Sequence, residues 1–112
     1  PKGLVVPKAN NAAELVQISH MLDVLEAEHG LPAGGIGILP VATETAAAVF
    51  NLGSYSKDTP RLRGITWGAE DLGAAVGAST NLEASGQWTS PYVLVRSLCL
   101  FAAHASGVQA ID

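Results

Sequence analysis

Four short apolar runs divide the chain, and the stretches between them carry helical signals. The first run, Gly3 to Pro7 (GLVVP), is β-branched and closed by proline, which marks a buried strand. Asn11 then stands three residues before Glu14, an arrangement resembling a capping box with Asn in place of Ser or Thr. Leu15, Ile18, Leu22 and Leu25 recur at helical spacing, predicting one apolar stripe against a sheet, with Glu14 and Glu28 toward solvent. Gly30 and Pro32 supply the stop. A second run, Gly35 to Glu44 (GIGILPVATE), predicts the next strand, and Thr45 to Leu52 a short helix. Leu62 to Gly68 (LRGITWG) predicts the third strand, and the polar stretch from Ser79 to Ser90 a loop. Ser90 followed by Pro91 opens a strong helix that runs to about Ser106 and stops at Gly107. The fourth strand begins in VQAID.

The resulting order is β-α-β-α-β-α-β. Its strands are apolar throughout rather than alternating, as expected of a parallel sheet covered by helices. This pattern leaves an open sheet and a barrel equally available.

Composition narrows the setting. Of 112 residues, 48% are hydrophobic and 14% charged, too apolar for a disordered segment. Such a mixture suits a piece of a larger enzyme better than a free-standing small domain. The six Lys and Arg residues are scattered and the net charge is −4, so nucleic acid has little to bind. No apolar run approaches the roughly 20 residues of a membrane span, and no signal peptide is visible. The single Cys99 excludes an internal disulfide and suits a reducing, cytoplasmic compartment. The chain opens on PKGLVV without a Met and closes on GVQAID within a strand, so truncation at both ends is expected.

Ligands of parallel α/β sheets meet the carboxyl ends of the strands. Those ends are Pro7-Lys8, Thr43-Glu44-Thr45, Gly68 through Asp71, and Asp112. Three of the four bring a carboxylate to one edge. A hard cation such as Mg²⁺ takes one or two carboxylates with waters and substrate oxygens. Glu44 and Asp71, at successive strand ends, can converge on one ion. The same placement suits helix capping, by Asp71 for LGAAVG and by Glu44 for the first turn after it. Spacing does not choose between these readings.

Backbone N–H groups of Gly68, Ala69 and Glu70 either meet a substrate carboxylate or form an ordinary strand-to-helix turn. Glu70, one position before Asp71, points elsewhere on an extended backbone and has a structural or capping role by default. Trp67 lines the pocket or is a buried aromatic, and Lys8 meets a negatively charged ester or water. Cys99, among Leu98, Leu100 and Phe101, reads as core. His20, His29 and His104 lack metal-ligand spacing. Arg96 lies within the final helix, where an intrahelical ion pair accounts for it. The GGIG of Gly34 to Gly37 precedes its strand, the wrong order for a dinucleotide fingerprint.

ATETAAAVFNL, RLRGITWGAEDLGAAVGA and YVLVRSLCLFAAHASGVQAID closely resemble the citrate lyase β-subunit and malyl-CoA lyase family, within the superfamily that includes the metal-dependent 2-oxo-acid aldolases. The resemblance covers essentially the whole chain. It implies a partial (β/α)₈ TIM barrel, with residues 1–112 as the central part of one domain, approximately strands four to seven. It also implies Mg²⁺ held by Glu44 and Asp71. The reaction implied is cleavage of a 3-hydroxy-acyl thioester, malyl-, citramalyl- or citryl-CoA-like, to an acyl thioester and a 2-oxo acid. The substrate-gripping arginine and the catalytic base would lie outside this chain, leaving it inactive in isolation. A homo-oligomer is implied for the complete protein, with small-molecule acyl-CoA or 2-oxo acid partners. A pyruvate-releasing aldolase and a non-catalytic binding or assembly module are the rival readings.

Overall fold

The computed structural model describes residues 2–68 and 90–111. Its strands fall within the apolar runs: β1 (Gly3–Val6), β2 (Gly37–Pro40), β3 (Gly64–Thr66) and β4 (Gln109–Ile111). Between them lie α1 (Ala12–Glu28), α2 (Ala46–Phe50) with a 3₁₀ turn at Leu52–Ser54, and α3 (Ser90–Ala105). The loop expected from Ser79 to Ser90 lies outside the described residues, apart from Ser90, which opens α3.

Local chemistry sets the helix ends. At the start of α1 the Asn11 side chain accepts the Glu14 N–H at 3.1 Å. The Glu14 carboxylate reaches back to the N–H of Asn10, at 3.3 and 3.4 Å, one residue before the cap itself. Both long helices stop at a glycine in the left-handed region, Gly30 at φ 66° and Gly107 at φ 71°. In each case the N–H beyond the glycine closes onto a carbonyl of the last turn, Leu31 onto Glu26 and Val108 onto Ala103. A side chain with a Cβ pays a steric penalty at that φ, which is why glycine follows both helices.

The sheet is parallel. β1 pairs with β2 from Gly3–Gly37 to Val6–Pro40, and β3 with β4 from Gly64–Gln109 to Thr66–Ile111. Parallel bridges at Ile38–Leu62 and Val41–Thr66 join the two pairs, giving the order β1-β2-β3-β4. Between those bridges the third strand uses one residue more than the second. This bulge lets Leu62 and Ile65 both reach the same core. That core joins Leu15 and Leu22 of α1 with Ile38, Ile65, and Cys99, Ala102 and Ala103 of α3. The helices therefore cover one shared sheet face. Cys99 is buried, as expected, its thiol 3.7 Å from the Ile65 carbonyl. Tyr55 is buried with its hydroxyl unpartnered; burial, with Glu14 and Cys99 adding to it, pushes the phenol up to about 12.

The apolar stripe of α1 departs from expectation at one position. Leu15 and Leu22 are buried, but Leu25 is 46% exposed and Glu26 is 1% exposed in its place. The reason is Arg61, itself buried, at φ 62° just before β3. Its Nη1 and Nη2 donate to the two Glu26 oxygens at 2.9 and 2.6 Å. Its remaining donors meet Ser19 Oγ, the Ile36 carbonyl and Asp23. Glu26 also accepts the N–H groups of Gly34 and Ile36, at 2.9 and 3.1 Å. A buried carboxylate with that many partners is tolerated where a lone one is not. The Arg61 guanidinium, supported by both N–H groups, holds the Glu26 carboxyl down to about 2 against the upward push of burial.

In the full-length protein, Leu22→Ala should cost about 2–5 kcal/mol by denaturant unfolding, as a buried leucine does, and Leu25→Ala far less. Tyr55→Phe should be neutral or stabilising, because it removes a buried hydroxyl that makes no bond; a clear loss of stability would show that the hydroxyl has a partner. The folded Glu26 pKa lies below its ordinary 4.5, so the clamp contributes fully above that value and fades as pH falls toward about 2. The stability advantage of the parent over Glu26→Gln should therefore shrink between about pH 5 and about pH 3, measured by denaturant midpoints across that window.

Candidate functional site

Because all four strands run parallel, their carboxyl ends share one edge. Glu44 follows β2 at that edge and is 9% exposed. The residues on either side of it are threonines, and each hydroxyl has a defined bond. Thr43, fully buried, accepts the Gly68 N–H through Oγ1 at 3.0 Å. Thr45 donates to Asn10 Oδ1 at 2.7 Å and accepts the Ala48 N–H at 3.1 Å. Thr45, not Glu44, is thus the N-cap of α2. The turn carrying Glu44 is tied to the end of β3 on one side and to the loop after β1 on the other.

Gly68 lies directly against the Glu44 side chain. A Cβ placed on it would sit 3.0 Å from Glu44 Cγ, 3.5 Å from Cδ and 3.2 Å from Val41 Cγ1. The Gly68 N–H, considered from sequence as a donor to substrate, is here committed to Thr43. Lys8 is exposed just beyond β1, its backbone in the left-handed region at φ 53°, a rare conformation for a residue with a side chain. That turn sends Ala9 into the core. Trp67 is half-buried, its ring centroid 6.4 Å from that of Tyr92 at a tilt of 55°. It packs against both apolar clusters, the main core and the smaller one formed by Tyr92 and Val95.

Ala69, Glu70, Asp71 and Asp112 lie outside the described residues. Among the described residues no three His, Cys, Asp or Glu side chains group as a metal site, and His20, His29 and His104 are exposed. No helix among them is long and apolar enough to cross a membrane. Sequence reasoning did not single out Thr43, Asn10 or Arg61. The hydroxyls bracketing Glu44 in TET were the visible signal for the first of these. For Arg61 it was a cation directly before an apolar strand, with Arg63 two residues on.

The chain as a whole is similar to known proteins. A citrate lyase subunit beta-like protein of Mycobacterium tuberculosis is 32% identical over 109 residues, 97% of this chain. This chain spans only about a third (34%) of that relative's length. A structure of the M. tuberculosis citrate lyase beta subunit complexed with oxaloacetate and magnesium matches at TM-score 0.71 and 27% identity, covering 99% of this chain and 44% of that one. RipC from Yersinia pestis matches at TM-score 0.72 and 29% identity, covering 100% and 44%. Haloferax volcanii malate synthase, at 22% identity and TM-score 0.80 over 99% of this chain and 30% of its own, shares the α/β fold. The sequence pattern of HpcH/HpaI aldolase/citrate lyase matches residues 1–112 throughout, and the chain belongs to that family.

Proposed function

We propose that residues 1–112 form approximately strands four to seven of a (β/α)₈ barrel in a Mg²⁺-dependent carbon–carbon lyase, with Glu44 and Asp71 as the ligands of the ion. The observation that carries this reading is Glu44: a buried carboxylate at the carboxyl edge of a parallel sheet, lying on Gly68 of the neighbouring strand end. The strand order without inversion and the shared helix-covered face support a barrel segment over a doubly wound sheet.

The donor set fits the ion. Mg²⁺ prefers oxygen ligands and commonly takes one or two carboxylates, leaving the other positions to water and substrate. Glu44 supplies one carboxylate and Asp71 the second. When bound, the ion would act as a Lewis acid on the oxo-acid portion of the substrate. The magnesium-and-oxaloacetate complex of the M. tuberculosis relative supports a 2-oxo acid as one reaction partner.

The protein's own residues would bind and orient. N–H groups of Ala69 and Glu70 would receive the substrate carboxylate. Lys8, on the same edge, would meet the negative charge of a coenzyme A ester. Gly68 would form the floor beneath Glu44. The substrate is a 3-hydroxy-acyl thioester of the malyl-, citramalyl- or citryl-CoA kind, cleaved to an acyl thioester and a 2-oxo acid. A second reading, a pyruvate-releasing aldolase, draws on the family's aldolase members and on a related structure in complex with magnesium and pyruvate.

The full-length protein separates these. Malyl-CoA and citramalyl-CoA should be cleaved with release of a 2-oxo acid only when Mg²⁺ is present, while 4-hydroxy-2-oxo acids should react poorly. The opposite preference would establish the aldolase reading, and no turnover of either class would remove the lyase assignment. Asp71→Asn should retain the fold by circular dichroism yet lower turnover and raise the Mg²⁺ concentration needed for it, by more than about 100-fold if it is a direct ligand. An unchanged Mg²⁺ dependence would dismiss Asp71 from the site.

A further inference from the structure

Rim carboxylates are useful to a cation only if they are held still. The two threonines beside Glu44 differ in what explains them. Thr45 is accounted for as the N-cap of α2. Thr43 caps nothing. It is fully buried, and valine would fill its volume without bringing a hydroxyl into an apolar interior. Its hydroxyl instead receives the Gly68 N–H and draws the end of β3 against the Glu44 turn. The bare α-carbon brought there is the surface on which Glu44 rests, since a Cβ would lie 3.0 Å from Glu44 Cγ.

We infer that Thr43 is a positioning residue: its hydroxyl, acting through Gly68, fixes the Glu44 carboxylate at the strand-end rim and thereby sets the affinity for a divalent cation. This rests on the reading of Glu44 as a ligand. Hydrogen-bonded partners behind a ligand typically contribute about 10–100-fold to metal affinity or activity. A tether acting through the backbone belongs at the lower end, about tenfold. Gly68 offers an independent handle. Its φ is not in the left-handed region, so alanine is compatible with its backbone, and the added methyl would displace Glu44 while leaving the Thr43 bond in place.

The test uses the full-length protein without substrate and reads Mn²⁺ binding by electron paramagnetic resonance titration, with thermal unfolding of the metal-free protein as a control for folding. Thr43→Val should raise the Mn²⁺ dissociation constant about tenfold, and Thr43→Ser should restore the parental value. Gly68→Ala should weaken binding to a similar degree, which keeps the inference testable if Thr43→Val folds poorly. Glu44→Gln should weaken it most. Parental affinity in both Thr43→Val and Gly68→Ala, with Glu44→Gln impaired, would overturn the positioning role and leave Glu44 as a ligand. Parental affinity in Glu44→Gln would overturn the ligand reading and this inference with it.

Discussion

One guanidinium organises the amino edge of the sheet. Arg61 has five N–H donors, and Ser19, Glu26, Ile36 and Asp23 together receive a bond from every one of its three nitrogens. Those partners belong to α1 and to the loop that feeds β2, while the Arg61 carbonyl accepts the Ile38 N–H at 2.7 Å. Helix, incoming loop and two strands therefore meet at one residue. Its left-handed backbone is part of this arrangement, because it aims the side chain at α1 while the carbonyl stays in the β2–β3 contact. Lysine could not replace it: an ammonium lacks the planar fork that engages both Glu26 oxygens together.

At the opposite edge the same two strands are joined by a neutral device. Thr43 accepts the Gly68 N–H, and the Thr45–Asn10 bond adds the loop after β1. The strands β2 and β3 are thus held at both ends, by charge behind and by hydroxyls in front. The difference suits the two tasks. The threonine hydroxyls hold the turn that carries Glu44 without adding a charge beside it. Between these two edges β2 and the segment leading into β3 pack into the core through Ile38, Leu62 and Ile65.

Membership of the HpcH/HpaI aldolase/citrate lyase family gives this arrangement a chemical context. The described residues include Glu44, proposed as one of the two ligands, and the Thr43–Gly68 bond beside it. Gly68 shows how closely the two are joined: one residue supplies the N–H that closes the tether and the absent Cβ that makes room for Glu44.

The sequence by itself determined the elements and their order. Proline after GLVV, glycine after each long helix and Ser-Pro before the last one act within a few residues of chain, so their effects are readable locally. The carboxyl edge of the sheet, and with it Glu44 as a candidate ligand, was legible for the same reason, although β2 closes at Pro40, four residues before the end expected at Glu44, and β3 at Thr66, two before Gly68. The periodicity of α1 was read correctly at Leu15 and Leu22 but not at Leu25. Apolarity alone cannot foresee that a carboxylate 35 residues from its cation will be buried in a leucine's expected place. Nor could spacing show that Gly68 would give its N–H to Thr43. Burial of Glu26 and the seat of Glu44 each depend on groups that meet only when parallel strands align, and a one-dimensional pattern does not contain that alignment.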